Sequence, residues 1–326
     1  MSGPMRATTR GGLVDEATAA SELVGRAGAA PRQRLGGLVL DLLRTARPRQ
    51  WVKNGFVLLP TVFGGAFGLG SLGRTALATA AFCLASSGMY FINDLSDRDA
   101  DRLHERKRHR PIAAGRLGTS PAVATAVVLL AASLLLGLAA SLEADGLLAA
   151  YIVSTLAYSA WLKHVAILDV IVIAAGFVLR VAAGAAAAPV TPSEWLLLCS
   201  LFVALFLGFG KRYNELVLLG DDAQTHRRVL GEYTEASLRQ FLSASMLGTL
   251  FSYCLYTFFS AQGQEHHGLV LTIPFAVYGV FRYTLLMETR REGGAPEEVL
   301  LRDRPTQLAA LLWIGVALAA IYGPRL

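Results

Sequence analysis

Charge is scarce in this chain. Only 17% of its 326 residues are Asp, Glu, Lys or Arg, while 54% are hydrophobic and the mean hydropathy is +0.47. So thin a polar coat excludes an ordinary water-soluble globule and points to a polytopic membrane protein. Cysteine is scarcer still. Cys83, Cys199 and Cys254 fall in apolar stretches and have neither metal-ligand nor disulfide spacing, so they read as small packing residues. No strand alternation and no close internal repeat is present, which leaves an all-α chain. Residues 1–32 contain no continuous apolar core, so no signal peptide is expected there.

What is present is a series of apolar runs of membrane length. A hydrocarbon core about 30 Å thick needs ~20 apolar residues per helix. Spans are expected near 51–70, 75–92, 121–142, 146–162, 165–187, 194–209, 240–261, 268–287 and 306–323, about nine in all. The loops alternate sharply in basic content. Those at 93–119, 163–164, 210–239 and 288–305 hold 17 Lys and Arg, and those on the other side hold only Arg74 and Arg325. The positive-inside rule then puts the N-terminus and all the charged loops in the cytoplasm and the C-terminus outside. These loops account for the net charge of +6 without any nucleic acid, and they suit a lipid bilayer with anionic headgroups. Residues 1–40 are expected to form a disordered cytoplasmic tail, with an amphipathic surface helix near Gln33–Arg47 at its end. Residues 41–326 form the transmembrane domain. Pattern alone leaves a homo-oligomer open.

The most informative segment follows the second expected span: Asn93-Asp94-Leu95-Ser96-Asp97-Arg98-Asp99-Ala100-Asp101, continuing through Arg102, His104 and Lys107 to Arg110-Pro111. In a helix Asp94, Asp97 and Asp101 share one face. Carboxylates so clustered repel one another unless a cation lies between them. Hard oxygen ligands beside a polyphosphate point to Mg²⁺, with the flanking Arg and Lys residues on phosphate oxygens. The plain alternative is a solvated loop that sets topology.

Three further clusters stand at expected cytoplasmic mouths. Tyr158-Ser159-Ala160-Trp161-Leu162-Lys163-His164 precedes Asp169. On one unbroken helix Tyr158 and Lys163 stand about 140° apart, and Lys163 and Asp169 about 120° apart. The three converge only if the helix breaks near 163–165. Asp169 lies four residues into an apolar run and Arg180 deep within a span, where a charge needs a partner. They are three turns apart on one face. Arg180 is expected to face the bundle interior and to meet an acid or a phosphate. Gly208-Phe209-Gly210-Lys211-Arg212-Tyr213-Asn214-Glu215 pairs Lys211 with Glu215 at i, i+4 behind two glycines. In Arg47-Pro48-Arg49-Gln50-Trp51-Val52-Lys53-Asn54, the two arginines read as membrane anchors, while Lys53 and Asn54 lie further in and read as ligand contacts. Leu301-Arg302-Asp303-Arg304-Pro305 reads as a helix start.

The acidic segment, with Arg110-Pro111-Ile112-Ala113-Ala114-Gly115 after it, resembles the first signature of the intramembrane prenyltransferase superfamily of the UbiA type. That resemblance implies a UbiA-like helical bundle with its active site on the cytoplasmic side. Members that prenylate aromatic acceptors carry two acidic motifs. This chain has Tyr158, Lys163 and the single Asp169 in place of the second. It is similar to the branch that transfers phosphoribose, and the likeness covers about residues 44–323. What that implies is a Mg²⁺-dependent reaction of 5-phosphoribosyl 1-diphosphate with decaprenyl or another polyprenyl phosphate, on the route to cell-wall arabinan. Asp94, Asp97 and Asp101 become metal ligands, and Tyr158, Lys163 and Asp169 join them as catalytic candidates. Lys53, Asn54, Asn93, Arg98, Arg102, His104, Lys107, Arg110, Arg180, Lys211, Arg212 and Glu215 become substrate-binding candidates. The alternative is a polyprenyl diphosphate-dependent prenyltransferase acting on an aromatic or quinone acceptor. A transporter is the reading from outside the enzyme class.

Overall fold

The structure is a computed structural model that describes residues 35–105, 107–220, 228–290 and 302–323. Most of the expected tail, residues 1–34, lies outside that range. The chain divides into two units, Met1–Asp41 and Leu42–Leu326, and the second carries everything that follows. The described residues contain helices and no strand. In order these are α1 (Leu35–Ala46), a 3₁₀ arm (Pro48–Leu58) running into α2 (Leu59–Phe63), α3 (Leu69–Ser96), α4 (Arg98–Leu103), α5 (Thr119–Ala140), α6 (Leu142–Ala160), α7 (Leu168–Ala187), α8 (Glu194–Leu219), α9 (Glu235–Phe259), α10 (Ala261–Glu265), α11 (Ile273–Arg290) and α12 (Arg304–Tyr322).

Seven helical stretches among the described residues are long and apolar enough to cross a membrane: α3, α5, α7, α8, α9, His267–Thr289 and α12. The remaining two expected spans are built differently. α6 is a 19-residue helix whose first turn carries Glu143 and Asp145, which lowers its apolar content. The first expected span is not one α-helix. Pro60 has no N–H to give, and α2 restarts the helix around it. The 3₁₀ arm nevertheless runs antiparallel to α3. Arg47 meets Asp94, Trp51 donates to Ser87, Asn54 to Ser86, and Thr61 pairs with Thr75. Nineteen residues of α3 between the outermost partners correspond to about 28 Å at 1.5 Å per residue, close to the thickness of the hydrocarbon core.

Small residues set the helix spacing. Ala78, Ala81, Ala85, Ala144, Ala183 and Ala187 are buried in the cluster that joins α3, α6 and α7. Without water to drive helices together, such close approach is what membrane bundles use. Gly184 shows the limit. A β-carbon there would stand 1.9 Å from the carbonyl oxygen of Val57, so the 3₁₀ arm lies directly on the α7 backbone. A second cluster, around Phe206, Phe209, Tyr213, Leu238, Leu286 and Met287, joins α8, α9 and α11. Outward, Val127, Val128, Leu135, Phe251 and Leu311 stay exposed on faces suited to lipid.

Asp303 starts α12 by accepting from the Thr306 N–H and hydroxyl, while Arg282 forks onto it at 2.9 and 3.1 Å. The Arg282 guanidinium holds its carboxyl well below the usual carboxylate range. The Leu301–Pro305 segment thus contains a helix start, as its sequence suggests, although Leu301 lies outside the described residues.

The Gly184 contact yields a stability prediction. Gly184→Ala is expected to cost at least ~2 kcal/mol by overpacking against the Val57 backbone. Gly315→Ala, where a β-carbon meets open space, is expected to be neutral. Thermal unfolding in detergent compares the two, and equal melting temperatures would show that the arm does not bear on α7 as described.

Candidate active site

The charged mouth is built where α3 ends. The helix loses its regular register at Asp97, whose φ and ψ are −91° and 4°, yet the backbone bonds Asp97 N–H to Asn93 C=O and Asp101 N–H to Asp97 C=O carry the helical phase into α4. Asp94 and Asp101 therefore stay on one face, as the spacing requires. One guanidinium reads both. Arg110 Nη1 lies 3.1 Å from Asp94 Oδ1 and 2.7 Å from Asp101 Oδ2. Arg110 is delivered by the loop after α4, which Ile112, Ala113 and Leu117 anchor in the core and Gly115 turns at φ +73°. Arg47, at φ 52°, supplies a second cation 2.5 Å from Asp94. Arg47 had read as a membrane anchor in the sequence. The structure instead puts its guanidinium inside the cluster and over the Tyr90 ring.

Asp97 takes its cation from the turn between α6 and α7. α6 ends at Ala160, a short 3₁₀ turn covers Leu162–His164, and α7 starts at Leu168. This is the break that the Tyr158–Lys163–Asp169 angles demanded. It carries Lys163 Nζ to 2.6 Å from Asp97 Oδ1, while Asn93 donates to Asp97 Oδ2 and accepts from Ser159. Three carboxylates and three cations thus share one mouth. Asp94 and Asp101 are almost fully buried, whereas the Asp97 side chain is 29% exposed and the most accessible of the three.

Asp169 goes elsewhere. It is fully buried, accepting from Arg212 Nε at 2.6 Å and from the Tyr233 hydroxyl at 2.8 Å. Arg212 also reaches Glu215 at 2.7 Å, and Tyr158 lies near this guanidinium. The Tyr233 hydroxyl in turn accepts the N–H of Ile167, a β-branched residue at φ +70°. Burial and the Asp169 carboxylate together raise the Tyr233 hydroxyl well above its ordinary range, which keeps it a donor. This lock fixes the turn that presents Lys163. Sequence reasoning missed Tyr233. Its one signal is a tyrosine set beside the α9 cap residue Thr234 within a polar loop.

Arg180 meets no carboxylate among the described residues. Its partners are the Asn54 side-chain oxygen at 2.8 Å, the Gly176 carbonyl, the Tyr151 hydroxyl, and the rings of Tyr151, Phe177 and Phe82. Asp169, three turns away on the same helix face, stands about 16 Å off along the axis. Arg98 and Arg102 also stay off the cluster. Both bond Asp99, and Arg102 holds the Ala113 carbonyl, so they brace the loop that carries Arg110. His104 and Lys107 sit half-buried in that loop, Lys53 is half-buried on the 3₁₀ arm, and Lys211 is exposed on α8.

Among the described residues no three His, Cys, Asp or Glu side chains form a ready-made metal cage. Mg²⁺ does not need one. It is commonly held by one or two carboxylates, with substrate phosphates and water completing its shell. The hard oxygens of Asp94, Asp97 and Asp101 fit that donor set.

The profile of the UbiA prenyltransferase family matches residues 57–301. The decaprenyl-phosphate phosphoribosyltransferase of Corynebacterium glutamicum is 35% identical over 302 residues, covering 89% of this chain and 90% of that protein. The enzyme of the same name from Mycolicibacterium smegmatis is 36% identical, covering 87% and 93%. A UbiA homolog from Archaeoglobus fulgidus, solved bound to GPP and Mg²⁺, shares the fold at a TM-score of 0.67 and 20% identity, over 86% of this chain and 99% of that one. With the acidic helix end and these matches together, the chain belongs to the UbiA prenyltransferase family.

Proposed function

We propose that this membrane enzyme moves 5-phosphoribose from 5-phosphoribosyl 1-diphosphate to a polyprenyl phosphate, decaprenyl phosphate in the relatives named above. The products are polyprenylphosphoryl-5-phosphoribose and diphosphate. The observation that carries the reading is the Lys163–Asp97 ion pair. Where the aromatic-prenylating branch has a second acidic motif, this chain brings a cation onto the first. That favours a second anionic phosphate in the site over a second metal ion, and it disfavours a prenyl diphosphate with a neutral acceptor.

The chemistry needs little acid or base. A lipid phosphate oxygen is already anionic and attacks C1 of the ribose as the C1–O bond to diphosphate breaks. Mg²⁺ on Asp94, Asp97 and Asp101 would serve as Lewis acid for the leaving diphosphate. Positive charge developing at C1 is stabilised by carboxylates in a poorly solvated mouth. Arg47, Arg110 and Lys163 stand ready for phosphate oxygens, with Lys53, Lys211 and Arg212 nearby as further candidates. Arg180, buried with only neutral partners, carries positive charge that an anion entering the bundle would satisfy. For the isoprenoid tail there is an apolar groove of about 480 Å³, lined by Phe56, Val203, Leu250, Phe275, Val280 and Trp313 among others. The protein resides in the cell membrane in this reading, with its N-terminus, its first 40 residues and the aspartate mouth on the cytoplasmic side.

Two predictions follow from the site. In the transfer assay with labelled ribose donor, Asp97→Asn and Lys163→Met each lower turnover by about 10²-fold or more while the unfolding temperature holds; normal turnover in both would overturn the assignment. A C-terminal alkaline phosphatase fusion is expected to be active and an N-terminal one inactive. The reverse pattern would place the mouth outside.

A further inference from the structure

At the far end of the bundle lies a second cavity of about 480 Å³, which adjoins the tail groove at Phe63, Leu196 and Tyr256. Glu194, in its wall, starts α8, and Arg212 stands eighteen residues further along that helix, about 27 Å away. The cavity is enclosed by α2, the turn before α8 and the corner between α9 and α10. Four aromatic side chains line it: Phe63, Trp195, Tyr256 and Phe259. Glu194 is its only charged lining residue, and no Lys, Arg or His takes part.

Two polar atoms in this wall lack a hydrogen-bond partner among the described residues. They are Oε1 of Gln262, which has none, and the hydroxyl of Tyr256, a residue 2% exposed, which has only the Ser260 hydroxyl in its vicinity and no well-formed bond to it. Leaving such groups buried and unmet costs about 1–3 kcal/mol each. Gln262 Oε1 and the Glu194 carboxylate can only accept, so the missing partner must donate. Phe259 is 60% exposed at the rim, which gives the cavity an apolar opening on the outside of the bundle.

We propose that this cavity binds the primary ammonium headgroup of a phospholipid, as in an ethanolamine lipid. An ammonium offers three N–H donors to Gln262, Glu194 and Tyr256, and its charge suits the surrounding aromatic faces. A quaternary choline has no N–H to give the orphaned acceptors. An anionic glycerol headgroup meets Glu194 with no cation to offset it. The acyl chains leave past Phe259 into the bilayer. The headgroup sits at the opposite end of the bundle from the aspartate mouth, beside the groove assigned to the isoprenoid tail.

The test is native mass spectrometry of the full chain released from nanodiscs of equal ethanolamine, choline and glycerol phospholipid. The expected result is one retained ethanolamine lipid per chain, favoured roughly tenfold over the other two, the effect of one charge-assisted hydrogen bond. Glu194→Gln abolishes the preference, and Tyr256→Phe, which removes only a hydroxyl, weakens retention. Thermal unfolding checks that both variants fold. Equal retention of all three lipids, a preference for the anionic lipid, or a preference that survives Glu194→Gln would overturn the proposal.

Discussion

A carboxylate buried in a bundle that lies in lipid has to be neutralised, and this constraint organises the structure. Asp94 and Asp101 share Arg110, Asp94 also holds Arg47, Asp97 holds Lys163, and Asp169 holds Arg212. Three of these pairs join segments distant in sequence. Arg47 ties the 3₁₀ arm to α3, Lys163 ties the α6–α7 turn to α3, and Arg212 ties α8 to α7. The same contacts that make the charges tolerable therefore hold the 3₁₀ arm and the α6–α7 turn to α3, and α8 to α7. Breaking a pair at the fully buried Asp94 or Asp169 leaves a charge stranded in low dielectric, which costs several kcal/mol, whereas Asp97, 29% exposed, is reached by water and is relieved of that penalty.

That arrangement also suits a site for a polyanionic substrate. Where the cations are matched one for one by aspartates, incoming phosphates compete with the carboxylates for Arg and Lys, and the carboxylates released are the hard donors a divalent ion needs. Asp97 is the natural point of exchange, being the most accessible of the three. Asp169 differs. It is sealed between Arg212 and Tyr233, and through Tyr233 it is tied to the Ile167 N–H in the turn that carries Lys163.

Much of this was legible in the sequence, because it depends on local spacing. The aspartates at 94, 97 and 101 fall on one helical face by arithmetic, and the structure keeps that phase across the irregularity at Asp97. The break after Ala160 could be inferred because Tyr158, Lys163 and Asp169 diverge on a straight helix. What could not be read were the long-range partners. Arg47 looks like an interfacial anchor until the 3₁₀ arm is seen to lie along α3. Arg180 is expected to meet an acid or a phosphate, and the described residues that surround it are Asn54, Tyr151 and three aromatic faces with no carboxylate among them. The 3₁₀ form of residues 48–58 was hidden as well, since an apolar run reports burial and not the pitch of the backbone.

The central claim concerns which bond breaks. The direct measurement uses 5-phosphoribosyl 1-diphosphate carrying ¹⁴C in the ribose and ³²P in the terminal phosphate of the diphosphate, with polyprenyl phosphate, Mg²⁺ and purified protein. The account predicts that ¹⁴C enters the organic phase while ³²P remains aqueous as diphosphate, and that a chelator stops both. If ¹⁴C stays aqueous while the same protein joins a labelled prenyl diphosphate to an aromatic acid, the mouth handles a prenyl donor and the account is wrong.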